Sequence, residues 1–195
     1  MSKSIELPQQ TIKALQDGAS IMIVPCKVEC MAIKGDIPCA LTLEQKAVPL
    51  IEFAPLQAGD KDVFVKEEFD QKEMMPYPAY KVDFEPTGTI LDDIPWRPAS
   101  QMTKEQSRFN IDIEDVRVVL AQDLTVLGVL GLGWIVNGET WGTFHQDIEY
   151  HFNNLMQQYE DKHFTETGER ISLGNYEDNP YVFLYDVKVT TKEEK

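Results

Sequence analysis

The segment Phe109-Asn110-Ile111-Asp112-Ile113-Glu114-Asp115-Val116-Arg117-Val118 restricts the fold more than any other stretch of this chain. Apolar and polar residues alternate through nearly all of it. Successive side chains of an extended chain point to opposite faces, so the pattern predicts a strand with one face in a core. A second strand is predicted over Tyr181-Val182-Phe183-Leu184-Tyr185-Asp186-Val187-Lys188-Val189, whose first half is apolar at successive positions and therefore suits a central place in a sheet. Between them Phe144, Ile148, Phe152, Leu155, Met156 and Tyr159 recur at three- and four-residue steps and make one apolar face of a helix.

Other elements follow from shorter signals. Leu7-Pro8-Gln9-Gln10 followed by Thr11, Ile12, Ala14 and Leu15 reads as a short helix with Pro in its first turn, stopped by Asp17-Gly18. Ile21 to Pro25, Val28 to Ile33 and Val63 to Glu67 read as strands, with Gly35-Asp36-Ile37-Pro38 as the turn of a hairpin after the second. The segment 69–95 holds Pro76, Pro78, Pro86 and Pro95 and reads as loops with a weak hairpin at 79–84 and 87–91. Residues 166–178 read as a surface loop and the last residues as a charged tail. Strands dominate without regular βα alternation, which favours an α+β domain built on a small, partly closed β-barrel with flanking helices over a doubly wound sheet. A length of 195 residues with 43% hydrophobic content suits a single domain over 1–190, with a loop-rich insertion about 70–95 and a tail at 191–195.

The charge balance narrows the function. With 33 acidic against 18 basic residues the net charge is −15, which opposes general binding to phosphate backbones. It leaves room for solubility alone, or for an acidic face that engages a basic protein partner. The three cysteines, Cys26, Cys30 and Cys39, have neither the number nor the spacing of a thiolate metal site, and an odd count fits a reducing compartment. The longest apolar run, 124–136, is broken by Thr125, Gly128, Gly131 and Gly133 and falls short of the ~20 residues a membrane-spanning helix needs. The first residues lack an apolar signal region. A cytoplasmic protein without membrane contact is expected, with no metal and no cofactor.

Several groups are candidates for chemistry. His145, Asp147, Glu149 and His151 alternate at two-residue spacing, but on the predicted helix they diverge as two pairs and cannot close one coordination sphere. Gly128, Gly131 and Gly133 match neither the dinucleotide fingerprint nor the phosphate loop, since no lysine follows. Glu67-Glu68, at a strand end, is a candidate acid. Tyr77, Tyr80, Trp96 and Trp141 are candidates for stacking on a base. The stretch Trp96-Arg97-Pro98-Ala99-Ser100-Gln101-Met102-Thr103-Lys104-Glu105-Gln106-Ser107-Arg108 reverses the local charge, with three cations against one acid. An arginine beside an aromatic suits a phosphate or a base, because guanidinium bonds in pairs and stacks.

Four separated motifs coincide, in order, with one family. Leu7 to Val24 with Ala14-Leu15-Gln16-Asp17-Gly18 resembles the opening helix, turn and strand of the ASCH domains of the PUA-like superfamily, many of them of phage or prophage type. Leu56-Gln57-Ala58-Gly59-Asp60 through Val63-Phe64-Val65-Lys66-Glu67 resembles that family's "Pro-Gly-Asp-x-hydrophobic-x-Val-Arg-Glu" strand. Trp96-Arg97-Pro98-Ala99 with Met102, Ser107 and Arg108, running on to Gln122-Asp123-Leu124-Thr125, is similar to the phage group's signature, and Asn179-Pro180-Tyr181-Val182-Phe183 to its closing strand.

The resemblance implies a small β-barrel whose cleft binds RNA, modified nucleosides or nucleotides, and in some relatives amide hydrolysis of acetylated cytidine. Those hydrolases use a lysine, a threonine and a glutamate. The matching positions here read Ser20, Ile23 and Leu132, which cannot act as acid, base or nucleophile in that reaction. The resemblance thus implies a binding protein without catalytic residues. Its expected ligand is an RNA element, nucleoside or nucleotide, with Trp96, Arg97, Arg108, Lys104 and Glu67 at the site. The competing expectations are an acidic interaction protein that engages a basic host protein, and an amidohydrolase using shifted residues.

Overall fold

The computed structural model describes residues 3–28, 32–70, 78–83, 94–124 and 144–191, with side chains within the last range described from residue 148 onward. Its elements in chain order are β1 (Ser4–Glu6), α1 (Gln9–Gln16), β2 (Ile21–Pro25), β3 (Ala32–Lys34), β4 (Ile37–Leu41), β5 (Ala47–Pro49), β6 (Val63–Lys66), β7 (Phe69–Asp70), β8 (Ala79–Tyr80), β9 (Phe109–Leu120), α2 (Phe144–Thr167) and β10 (Tyr181–Thr191). Short 3-10 turns stand at Leu50–Phe53, Lys81–Asp83, Ala99–Gln101 and Ala121–Asp123. Among the described residues the architecture is α+β, mostly sheet with two α-helices. No helix among the described residues is long and apolar enough to cross a membrane.

Five strands form the main sheet in the order β1-β6-β9-β10-β2. β1 runs parallel to β6, and every other neighbouring pair is antiparallel. The two long strands β9 and β10 pair from Tyr181↔Leu120 to Thr191↔Phe109. Their register shifts where Asp186 pairs with Asp115 and Val187 with Ile113, so Glu114 is the extra residue of a β-bulge. The bulge accounts for the one break in the sequence alternation. Before it Phe109, Ile111 and Ile113 enter the core, and after it Val116 and Val118 pack against that same core.

Both faces of the sheet are covered. Met22, Val24, Phe183, Tyr185 and Val187 join Ile12 and Leu15 of α1 in one core. Ile21, Ile23, Val182 and Leu184 point the other way, onto Ile148, Phe152, Leu155, Met156 and Tyr159 of α2. This two-sided burial is why β2 and the first half of β10 are continuous apolar runs, and β10 lies inside the sheet as its sequence predicts.

Helix α1 begins after Pro8, whose carbonyl accepts from Ile12 N at 3.1 Å, and it ends at Gly18, whose φ of +95° favours a residue without a Cβ. Helix α2 runs to Thr167 and stops at Gly168 (φ +74°), so the loop expected from residue 166 begins two residues later. Two further expectations change in detail. The hairpin turn is Gly35-Asp36 alone, because Ile37 and Pro38 pair with Lys34 and Ile33. The weak hairpin expected at 79–84 and 87–91 is replaced, for its first half, by pairing of Ala79–Tyr80 with Phe69–Asp70. The later piece, 87–91, lies outside the described residues, as do Cys30, Tyr77, Gly128, Gly131, Leu132, Gly133 and Trp141. Strands β1 and β5, three residues each, carry too short a pattern to be read from sequence.

Candidate functional site

Ser107 is the joint on which the site is built. Its side chain is buried, and Oγ lies 2.8 Å from Val65 O and 2.9 Å from Phe109 O, tying the end of β6 to the start of β9. That tie sets Glu67, just after β6, opposite Arg108, just before β9. Arg108 donates from Nε to Glu67 Oε1 at 2.8 Å and from Nη2 to Glu67 Oε2 at 2.5 Å. Its remaining nitrogen, Nη1, donates to both oxygens of Asp83 at 2.7 Å. The guanidinium lies 4.2 Å from the ring centroid of Tyr80, and Tyr80 in turn donates its hydroxyl to Gln106 O at 2.7 Å. All three guanidinium nitrogens and the Tyr80 ring face are engaged within the fold.

Glu67 is only 2% exposed. Burial pushes its carboxyl up to about 7, against the opposing pull of Arg108, while the Asp83 charge adds to the rise. Burial disfavours the Arg108 charge, yet its bonds to Glu67 and Asp83 outweigh that and hold it above the ordinary guanidinium value.

Beside this pair opens a cavity of about 380 Å³. Four sequence-distant pieces wall it: Leu7 to Ile12 at the start of α1, Glu67-Glu68 with Lys81-Val82, Pro98-Ala99, and the last turns of α2 at Gln158, Asp161, Lys162, Thr165 and Glu166. Leu7, Pro8, Ile12, Val82, Pro98 and Ala99 give apolar walls. Both lysines of the lining are engaged: Lys81 Nζ lies 2.7 Å from Glu68 Oε2, and Lys162 Nζ lies 2.9 Å from Glu6 and 3.9 Å from Glu166. Burial and a shared hydrogen bond with Glu6 raise the Glu166 carboxyl. Burial would raise Glu6 too, but Lys162 outweighs it and lowers that group. Carboxylates thus outnumber cations around the opening, and Glu67 is the one that is deeply buried.

No family model, curated protein or solved structure matches the chain.

The expected site residues therefore divide. Glu67 and Arg108 come together as one ion pair, with Glu67 on the cavity wall. Arg97 lies against β7, where its N donates to Phe69 O at 2.7 Å and Phe69 N returns a bond to Arg97 O at 3.2 Å, while Trp96 N donates to Ile94 O at 2.8 Å. The charge-reversed stretch does border the cavity, but through Pro98 and Ala99. Lys104 pairs instead with Asp62, which also accepts from Asn110 Nδ2 at 2.5 Å. Ser20 is exposed, its carbonyl accepting from Val187 N at 2.8 Å, whereas Ile23 is fully buried under α2 with its carbonyl accepting from Tyr159 Oη at 3.2 Å. Among the described residues no group of three or more His, Cys, Asp or Glu is placed to hold a metal. Sequence reasoning missed Asp83, Lys81, Asp161, Lys162 and Glu166. Their only signal is charge at exposed helix or loop positions, which most surface residues share.

Proposed function

We propose that this chain is a non-hydrolysing binding protein of the PUA-like, ASCH type, a small and partly closed β-barrel with flanking helices, whose cavity takes a nucleoside. The observation that carries the reading is the 380 Å³ cavity at the end of the strand that bears the family-like Val65-Lys66-Glu67 motif. Its volume lies in the range of small-molecule sites, and its apolar walls with a few polar groups suit a flat heterocycle. Within the wider expectation of RNA, nucleoside or nucleotide, the lining favours the uncharged ligand, because a phosphate would meet Glu67, Glu68, Asp161 and Glu166 while both lysines are already paired. Arg108 then serves as the frame that holds Glu67, and Glu67 as the contact.

Calorimetric titration of the full chain with the four ribonucleosides and their 5′-monophosphates tests this. At least one nucleoside should bind, more tightly than its own monophosphate, and Val82→Trp, which fills the cavity, should abolish the binding. Absence of binding by every nucleoside, or unchanged affinity in Val82→Trp, overturns the reading. A second reading, an acidic interaction protein engaging a basic host partner, rests on the net charge of −15. Recovery of a basic protein from a bacterial lysate by wild type and Val82→Trp alike, with no nucleoside bound by either, favours it.

A further inference from the structure

Resting on the nucleoside reading, the charges of the cavity wall decide the charge of the base it takes. The α2 side of the wall carries Asp161 and Glu166, and the lysine of that side, Lys162, stands closer to Glu6, at 2.9 Å, than to Glu166, at 3.9 Å. Asp161 accepts from Gln157 Nε2 at 2.8 Å, and no cation pairs with it among the described ion pairs. Glu166 shares a hydrogen bond with the Glu6 carboxyl, an arrangement two acids adopt where one cation serves both. Elsewhere on the wall Lys81 is bonded to Glu68, and Arg108 serves Glu67 and Asp83 together.

The end of α2 adds to this excess. Aligned backbone dipoles make a helix C-terminus partially negative, which favours a cation in the last turn. Helix α2 has no basic residue in its last turn and carries Glu166 there, on the cavity wall with Thr165. Arg170, just past the helix, lies over the Phe164 ring at 5.3 Å, and Lys27 and Lys66 act on Glu166 and Glu6 from beyond bonding distance. The start of α1 is also on the wall and has the opposite sign. Its Gln10 N is already bonded to Gln158 Oε1 at 3.2 Å, and a partial charge there stands against whole charges on the carboxylates. The sign that sets a nucleoside above its phosphate therefore also sets a cation above a neutral base, and the apolar walls strengthen the attraction by lowering the local dielectric. We infer that the cavity prefers a nucleoside whose base is positively charged at neutral pH, as methylation of a ring nitrogen makes it, with Asp161, Glu166 and the end of α2 compensating that charge.

Methylated isomers test this, because they differ in charge at equal composition. The full chain is titrated at neutral pH and physiological ionic strength with 1-methyladenosine against N6-methyladenosine, and with 3-methylcytidine against 5-methylcytidine; the first of each pair is the cation. Each cation should bind tighter than its neutral isomer by about tenfold, the effect of an opposite charge a few ångströms away. The double variant Asp161→Asn with Glu166→Gln, at two exposed positions of α2, should narrow that gap by about threefold or more. Val82→Trp should abolish binding of the cations, which separates the cavity from general attraction to an acidic surface. A neutral isomer that binds as tightly as its cation in either pair, a gap that the double variant leaves unchanged, or cation binding that survives Val82→Trp overturns the inference. The nucleoside reading then still stands if any neutral nucleoside binds in the cavity. Binding of none of the four isomers and of none of the unmodified nucleosides overturns both.

Discussion

A carboxylate that is 2% exposed keeps its charge in a folded protein only if something compensates the lost hydration, and for Glu67 that is Arg108. Removing Arg108 leaves Glu67 with no cation at bonding distance among the described ion pairs and also takes from Asp83 the cation it pairs with. We predict that Arg108→Ala lowers the free energy of unfolding by about 3–5 kcal/mol at pH 8, the range for breaking a buried pair from one side. At pH 5.5 the loss should be smaller, because Glu67, with its carboxyl at about 7, is then protonated in both proteins. Urea unfolding of the two proteins at both pH values measures this. A cost equal at pH 8 and pH 5.5 would mean that Glu67 does not titrate between them. The buried Ser107 bridges Val65 O and Phe109 O, so the Ser-Arg pair acts as a unit: one residue sets the spacing of two strands and the next bonds across it.

The elements were legible in the sequence to the degree that burial imposes a period on them. Strand β9 shows this best, since its alternation and even the interruption at Glu114-Asp115 reappear as a strand and its bulge. Helix α2 is similar: Ile148, Phe152, Leu155, Met156 and Tyr159 are all buried, on the face their spacing defines. Phe152→Ala, at a fully buried position, should therefore cost about 3–5 kcal/mol, whereas Tyr150→Ala, 68% exposed on the opposite side, should change stability by less than about 0.5 kcal/mol. Thermal or urea unfolding of the two variants checks the contrast, and equal effects would remove α2 from the core. The site was legible only in part. Glu67 and Arg108 stood out through their motifs, but that they face each other depends on the pairing of β6 with β9, 41 positions apart in sequence. The α2 side of the cavity could not be read at all. Asp161, Lys162 and Glu166 belong to the polar face of a helix and become site residues only through where α2 lies against α1.

At the scale of the whole molecule the charge of −15 and the titration of individual carboxylates combine into one pH profile. Glu67 is raised from 4.5 to about 7 by burial, so between those values the folded state holds a proton that the unfolded state has released, and stability falls as the pH rises through that window. Self-repulsion among excess carboxylates acts in the same direction, because it grows as the last of them ionise. Asp60 and Asp112 have the opposite sign. For Asp60, the bonds from the backbone N–H of Gln57 and from Lys3 outweigh burial; for Asp112, the backbone N–H of Asp62 is the leading cause. Both carboxyls are lowered below 3.8, so their contribution is present above that value and is lost only as the pH falls through their folded values. The two trends leave a maximum on the acid side of neutrality, below about 7 and above about 4, rather than at pH 7–8. Urea midpoints measured from pH 4 to pH 9 at fixed ionic strength should therefore be higher at pH 5.5 than at pH 8. Glu67→Gln, which cannot ionise, should flatten the limb between pH 5.5 and pH 8 while leaving the acid limb in place. Raising the ionic strength should lift the pH 8 midpoint more than the pH 5.5 midpoint, since screening weakens repulsion between exposed charges but reaches a buried carboxylate far less. If salt abolishes the difference between pH 5.5 and pH 8, surface repulsion is its source. If the difference survives salt and vanishes in Glu67→Gln, its source is the single carboxylate held between Arg108 and the cavity.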